Sequence, residues 1–487
     1  MPDKIVIIGA GMAGTAVFAK LIDEIARNEL PSLQIDIFEQ SGEFGPGLAY
    51  GSNSDNLLLN RTTRRMYVFG KHDFLDWVNQ KKFAELRYPV EDQFLPRRIF
   101  GLFLRDLFNN AINRARSLGC IVNLLDRAVY SVSEEQEYYT LNGKYGAYMH
   151  LFACTGNDVA ADPYKLRHFS NYYPSPYPVS QFVHFPDGAK VGVIGTRLTA
   201  VDLVIELYNR KPTLSFTMLS RTSGLPFSAG LPFASVELTQ FCPQNIDKFS
   251  RQNGYFSLKS AARLVNKELR LAGVKKGILS VLSSTESGGL SGDATEVCKI
   301  REVLLGVSEH LPYAWQLLSP VELSLFYHRY TTPWVLARLT MPGSNSTKLS
   351  HLISCGVLNV TPGISRIGYD VGKGFEVNYQ DGSVRYFDYI INSTGIKRHC
   401  DDLSTPFVRS LLETGFCTVH PFGGVMIDPQ THFALDRQSQ VKTNLTIVGQ
   451  LAVGNYLMTN SVDGILFQLN RAVAGFVGSF SQLTDMA

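Results

Sequence analysis

Three glycines near the start of the chain, Gly9, Gly11 and Gly14, have the spacing with which a backbone holds phosphate. Each has a physical task. Gly9 permits a tight turn, Gly11 carries no Cβ and lets a pyrophosphate approach, and Gly14 lets a helix pack closely on a strand. The free N–H groups and positive dipole of a helix that starts here favour an anion. Glu39 follows 25 residues after Gly14, where a carboxylate can accept hydrogen bonds from ribose hydroxyls. A second set, Gly195, Thr196, Arg197 and Ala200, repeats the pattern with substitutions: Gly195 aligns with Gly9, Arg197 with Gly11 and Ala200 with Gly14. Ser220 and Arg221 follow it. Arg221 stands 26 residues past Gly195, where a cation instead of an acid suits the 2′-phosphate of NADPH. Arg197 reads two ways: its side chain clamps phosphate from the side, or it fills the space the pyrophosphate needs. The first motif alone does not choose between FAD and NAD.

These residues need strands and helices to hold them. IVIIG at 5–9 and LQIDIF ending at Phe38 are short β-branched runs of the kind buried on both faces of a parallel sheet, and TAVFAKLIDEIARNE between them reads as helix. AKVGVIG at 189–195, VDLVIELYNR and LSFTML repeat that order. The stretches that follow also repeat. After Cys120 come IVNLL and a hairpin-like segment, YYTLNGKYGAYMHLFA, ending in CTGN at 154–157. After Cys355 come VLNV and FEVNYQDGSVRYFDYIIN, ending in STGI at 393–396. Both predict an antiparallel excursion that returns to a short apolar strand closed by Thr-Gly.

Length and composition bound the function. At 487 residues, 45% hydrophobic and 18% charged, the chain has room for two or three domains and a large core. A net charge of +3 gives no electrostatic footprint for nucleic acid. The seven cysteines, at 120, 154, 242, 298, 355, 400 and 417, form no Cys-x-x-Cys pair, which argues against a zinc ribbon or a dithiol motif and fits a reducing, cytoplasmic setting. No apolar run approaches the roughly 20 residues of a membrane span. No histidine cluster has metal-ligand spacing, and no nucleophile elbow, carboxylate pair or P-loop appears.

The order GAGMAG, then GPGLAYGSNSDNLLLNRTTRRM at 45–66, LPRRIFGLFL at 95–104, VIGTRLTAVDL at 193–203, LSRTSGLP at 219–226 and IINSTG at 390–395 resembles the bacterial FAD/NAD(P)-binding proteins distantly related to flavin-dependent monooxygenases and N-hydroxylases. The resemblance covers most of 1–226 and 385–470 and is weak across 227–345. It implies that Gly9, Gly11 and Gly14 hold the FAD pyrophosphate and Glu39 its ribose. The 45–66 loop, with Asn60, Arg61 and Met66, would wrap the flavin end. Arg97 and Arg98 would lie near the cofactor, Val129 against the adenine, and Thr155 and Gly156 along the FAD. Gly449 would approach its ribityl or pyrophosphate region, and Thr459, Asn460 and Ser461 would set a helix N-terminus near the isoalloxazine. The family usually has glycine where Arg197 stands. Plainer roles remain open: Arg61, Arg64 and Arg65 as a solvated loop, Arg97 and Arg98 as a helix cap or partners of surface acids, and Thr459 to Ser461 as an N-cap.

The expected architecture is α/β, with two Rossmann-like dinucleotide-binding domains arranged as in glutathione reductase. A discontinuous FAD domain (1–188 and 400–487) encloses an NAD(P)H domain (189–399) that carries a mainly helical insertion at about 227–345. Within the insertion, the Ser/Gly-rich 280–296 stretch reads as a loop or lid, and the aromatics Tyr313, Trp315, Phe326, Tyr327, Tyr330 and Trp334 read as core. The leading functional expectation is an NADPH-dependent monooxygenase, in which oxygen adds at flavin C4a and the hydroperoxide oxidises a small amine or heterocycle. A flavin oxidase or dehydrogenase reduced directly by its substrate, and a non-catalytic FAD-binding scaffold, are the alternatives.

Overall fold

The fold starts from two copies of one building block. In the first, strand β1 (Lys4–Ile8) leads through the glycine turn into helix α1 (Met12–Ala26) and then strand β2 (Gln34–Phe38). In the second, β3 (Lys190–Ile194), α2 (Leu198–Arg210) and β4 (Ser215–Leu219) follow the same course. Four of the five residues in β1, and four in β3, are buried. Burying a Val or Ile side chain is worth about 1.5–3 kcal/mol, so these short runs are strongly committed to a sheet interior. The structure is a computed structural model that describes every residue except 1–2, 53, 158–159, 223, 227–235, 287–292, 340, 396, 401–403, 458, 460 and 486–487.

The chain divides into two units. The first holds residues 1–53, 61–158 and 397–487, and the second holds 54–60 and 159–396. The boundary expected at 188/189 therefore falls at 158/159. Tyr172–Tyr173 pairs in parallel with Tyr389–Asn392, and Val179, Phe182 and Phe185 join the second unit's core. The short 54–60 segment groups with the second unit because Leu57 and Leu59 are buried, while Ser54 and Asn56 both donate to Glu206 of α2.

The first unit is built on a six-stranded sheet in the order Phe433–Leu435, Val441–Ile447, His150–Ala153, β1, β2, Ile121–Leu125. All neighbours are parallel except the Phe433–Leu435 edge strand. Val6 and Ile8 point to the face covered by the antiparallel meander Val132–Tyr148, sharing a cluster with Tyr139, Leu141 and Tyr148. The second unit is built on a parallel sheet in the order Leu358–Thr361, β4, β3, Tyr389–Asn392, Tyr172–Tyr173. There Val191 and Val193 pack with α2 residues, while Ile194 packs with the meander residues Phe375, Val377 and Phe387. Both expected excursions are thus three-stranded meanders, each laid over one face of its sheet.

The insertion is helical, with helices at Pro243–Asn253, Leu258–Leu271, Ile278–Glu286, Ala294–Gln316 and Thr331–Arg338. The expected loop at 280–296 is corrected at both ends. Val281 and Leu282 are buried, and the hydroxyls of Ser284 and Thr285 donate to the carbonyls of Val281 and Leu282, so the polar residues are satisfied within a helix. A π-helical turn, Phe326–Tyr330, precedes the Thr331–Arg338 helix. Trp315 and Trp334 are buried, with Phe326 between them at ring distances of 5.7 and 6.2 Å. Among the described residues no helix is long and apolar enough to cross a membrane, and no cluster of three or more His, Cys, Asp or Glu could hold a metal ion.

Candidate functional site

In the first unit the turn after β1 is shaped by two close approaches. Gly9 has φ +94°, and a Cβ there would lie 2.3 Å from the Cys154 carbonyl oxygen, at the Thr-Gly turn that ends the returning strand. Its N–H donates to the Phe38 carbonyl at 2.8 Å, which ties the turn to the end of β2. Gly11 has ordinary extended backbone (φ −73°, ψ −164°), so its glycine is a matter of space: a Cβ would lie 3.3 Å from Cα of Gly47. The Gly47–Tyr50 turn of the 45–66 loop therefore packs against Gly11, at the expected pyrophosphate position. Glu39, at the end of β2, reaches back to the same turn and accepts from the Ala10 N–H at 2.9 Å and from the Ser41 hydroxyl at 2.8 Å. The expected ribose acceptor and phosphate turn are brought together.

Of the other expected residues, Gly449 and the Thr155–Gly156 turn approach this turn. Gly449 takes a backbone conformation that only glycine favours (φ +97°, ψ −142°), and a Cβ there would be 3.8 Å from that of Ala13 in α1. Gly156 also has a positive φ, with nothing within 4 Å of a Cβ, beside a half-buried Thr155. Val129 is partly buried, and the Asn142 side chain bonds its neighbours Ala128 and Tyr130. Ser461 caps the C-terminal helix α3 (Val462–Asp485), its hydroxyl accepting from the Gly464 N–H at 3.2 Å. Thr459 is buried and donates to Gln450 at 3.0 Å. Asn460 lies outside the described residues.

Arg61 pairs with Asp463 in the first turn of α3 at 2.5 Å. Arg61 and Arg97 both act on Tyr50, opposing the rise that burial imposes on its hydroxyl pKa. Tyr50, Arg61, Arg97 and Asp463 are thus a cation-rich group next to the Gly47 turn. Arg98 takes the plainer role left open for it: it pairs with Glu85 at 2.9 Å, near the surface. Arg64 likewise meets Asp92. Met66 is buried in the core, and Asn60 is exposed and groups with the second unit. Sequence reading missed Tyr50, Asp463 and the buried Gln468, whose side chain accepts from the Gly449 N–H at 2.7 Å. Tyr50 stood inside a quoted motif and could have been found there. Asp463 and Gln468 carried no local signal.

The second unit repeats the turn. Gly195 has φ +125°, donates its N–H to the Leu219 carbonyl at 2.7 Å, and a Cβ on it would lie 2.6 Å from the Ser393 carbonyl oxygen. Arg197 has the extended backbone of Gly11 (φ −89°, ψ −174°). Ile8 pairs with Phe38 and Ile194 with Leu219, so Ser220 occupies the place of Glu39 and Arg221 comes one residue later. This refines the expectation that Arg221 itself takes the acid's position. Thr196 is buried beneath the turn, and Arg221 is exposed beside Tyr164.

Residues 6–157 match a family model described as FAD-NAD(P)-binding, so the first unit contains such a domain. The uncharacterized protein YdhS of Escherichia coli (strain K12) is 24% identical over 55% of this chain and 55% of its own, so the match spans about half the length of that relative. Among solved structures, the chain is similar to L-lysine 6-monooxygenase from Pseudomonas syringae (13% identity, 99% of each chain, TM-score 0.60). It is also similar to the ornithine N-hydroxylase of Kutzneria sp. 744, solved with reduced FAD, NADP+ and L-ornithine (12% identity, 99% of this chain and 100% of that one, TM-score 0.59). A third is the bacillithiol disulfide reductase of Staphylococcus aureus (12% identity, 100% of each chain, TM-score 0.50). At these identities the likeness is one of fold: two Rossmann-like domains, as the repeated glycine turns led one to expect.

Proposed function

We propose that the protein is an FAD-dependent oxidoreductase that takes electrons from NADPH and oxygenates a small amine or heterocycle. One observation carries the reading: the same strand, glycine turn, helix and strand occurs twice, with a carboxylate (Glu39) directly after the second strand in one copy and a cation (Arg221) two residues past it in the other. A carboxylate suits an unphosphorylated ribose, as in FAD, and a cation suits a 2′-phosphate.

The residues present fit both groups. In the first unit Gly11, without a Cβ, packs against Gly47 at the turn where a pyrophosphate would lie, and Glu39 stands at the same turn. In the second unit, the Ser393 backbone carbonyl abuts Gly195, and the buried Ser393 hydroxyl has no hydrogen-bond partner among the described residues. Flavin, when bound, supplies the redox and oxygen chemistry. The chain's part is to hold and tune it. The α1 N-terminus and Gly11 receive the pyrophosphate. Arg61 and Arg97 set positive charge beside Tyr50, and Asp463 balances Arg61 at the start of α3. The activities named for the lysine and ornithine hydroxylases support a small primary amine as the first substrate class to screen.

The test is anaerobic stopped-flow mixing of the FAD-loaded protein with NADPH and, separately, with NADH. Loss of oxidised-flavin absorbance, faster with NADPH, is the expected result. Retention of the oxidised spectrum with both nucleotides, in the presence and absence of candidate amines, refutes an NADPH-dependent reaction.

A further inference from the structure

Arg197 replaces the glycine that usually admits a pyrophosphate, and the turn around it keeps the positive-φ glycine and its close approach to the returning strand seen in the first unit. Its backbone angles match those of Gly11 to within about 20°, so the substitution imposes no strain. The side chain is mostly buried, and among the described residues it makes no hydrogen bond or ion pair. Burial pushes its guanidinium below the usual arginine pKa, and among the described residues no carboxylate acts to restore it. A partly desolvated cation without a counter-charge is unfavourable unless an anion joins it. The surroundings favour one. The first turn of α2 contains no acidic residue; Ser393, whose backbone abuts Gly195, has a buried hydroxyl without a partner, and Arg221 supplies a second cation that makes no ion pair, among the described residues.

We infer that Arg197 is a pyrophosphate ligand, a side-chain clamp in place of the backbone cradle that glycine provides in the first unit. The inference rests on the reading of the second unit as a nicotinamide-dinucleotide site. It divides the work between two arginines. Arg197 holds the pyrophosphate common to NADP+, NAD+ and ADP-ribose, and Arg221 holds the 2′-phosphate that NADP+ shares only with 2′-AMP. A planar guanidinium offers paired donors to phosphate oxygens, and a lysine offers a point charge.

The experiment is calorimetric titration of the oxidised FAD-loaded protein with NADP+, NAD+, ADP-ribose and 2′-AMP, which gives affinities without turnover. The variants are Arg197→Gly, Arg197→Lys and Arg221→Ala, each checked for FAD content. Arg197→Gly is expected to weaken NADP+, NAD+ and ADP-ribose by a common factor of about 10 to 100, the range for a lost charge-assisted hydrogen bond, and to leave 2′-AMP unchanged. Arg197→Lys falls between. Arg221→Ala weakens NADP+ and 2′-AMP and spares NAD+. Equal or tighter binding by Arg197→Gly, with the wild type binding normally, overturns the clamp and makes Arg197 a plug. Absence of nucleotide binding by the wild type and all variants overturns the inference together with the reading beneath it.

Discussion

Replacing Gly9 with alanine tests the close approach on which the first nucleotide turn depends. Two terms enter. An alanine at φ +94° bears a conformational penalty of about 1–2 kcal/mol. The new Cβ, built on the present backbone, lies 2.3 Å from the Cys154 carbonyl oxygen, where ordinary contact needs 3.4 Å or more. The Thr-Gly turn or β1 must therefore move by about an ångström, and overpacking of that kind costs about 1–3 kcal/mol. The sum is about 2–5 kcal/mol, concentrated where the FAD pyrophosphate is expected. Gly156→Ala is the control, because its φ is +69° and nothing lies within 4 Å of the new Cβ, so only the first term applies. Gly195→Ala is the counterpart in the second unit, with φ +125° and a 2.6 Å approach to Ser393. The assay is FAD stoichiometry of the purified proteins by absorbance, with unfolding in urea followed by flavin release. Gly9→Ala is expected to lose FAD and unfold at lower urea, and Gly156→Ala to lose little. Gly195→Ala is expected to keep FAD and lose reduction by NADPH. A Gly9→Ala protein with full FAD and an unchanged urea midpoint refutes the reasoning.

Burial lowers the pKa of His150 to about 3 and of His432 to about 4, both in the first unit. The unfolded chain binds protons at these sites near pH 6.5, so their contribution to stability is complete above that pH and is lost as pH falls toward 4, at about 1.4 kcal/mol per pH unit for each. Urea midpoints of the first-unit transition should fall steeply from pH 6 to pH 4.5, and a flat profile there contradicts the assignment. Arg61→Met leaves Asp463 without its counter-charge and should destabilise the first unit by about 3 kcal/mol, with partial recovery in the Arg61→Met/Asp463→Leu double variant. Failure of the double variant to recover any stability in urea melts would show that the pair is not coupled. Glu206→Ala removes the acceptor shared by Ser54, Asn56 and Arg210, and limited proteolysis should then cut near residue 54 about tenfold faster, whereas Glu206→Gln should change the rate little.

The parts of this protein that were legible in its sequence are those governed by local rules. The strands of both building blocks announce themselves by β-branched runs, and the turns by glycines that cannot be replaced without collision. Gly195 was recognisable because it lies 186 positions after Gly9, and the same offset carries Ile5 to Val191 and Gly11 to Arg197. The burial phase follows the offset as well, with Val191 and Val193 packed in the cluster that holds α2 residues. What the sequence did not disclose depends on partners distant in the chain. Asp463 became a site residue only when Arg61, some 400 positions earlier, proved to be its partner. The 54–60 segment left its neighbours for the second unit because Glu206, in the interior of a helix, offered a buried acceptor. The ends of the 280–296 stretch are helical where serine and glycine content suggests a loop, because buried Val281 and Leu282 hold the first turns, and 287–292 lies outside the described residues.

The differences between the two copies are more informative than their likeness. Where both copies have glycine, at 9 and 195, the backbone demands it, since each turn presses against a carbonyl of the returning strand. Position 11 and its counterpart 197 share backbone angles that any residue can adopt, so the backbone conformation imposes no glycine there; at 11 the approach of Gly47 does. Position 14 and its counterpart Ala200 lie between these cases. A Cβ on Gly14 would fall 1.8 Å from the Gly9 carbonyl oxygen, yet Ala200 carries one, and φ at Gly195 is about 30° larger than at Gly9. The second turn therefore differs in shape from the first, and a phosphate held there need not lie as it does over Gly11. A glycine at 197 would restore the local sequence of the first unit without restoring its geometry, which is why Arg197→Gly should lose affinity instead of recreating a backbone cradle.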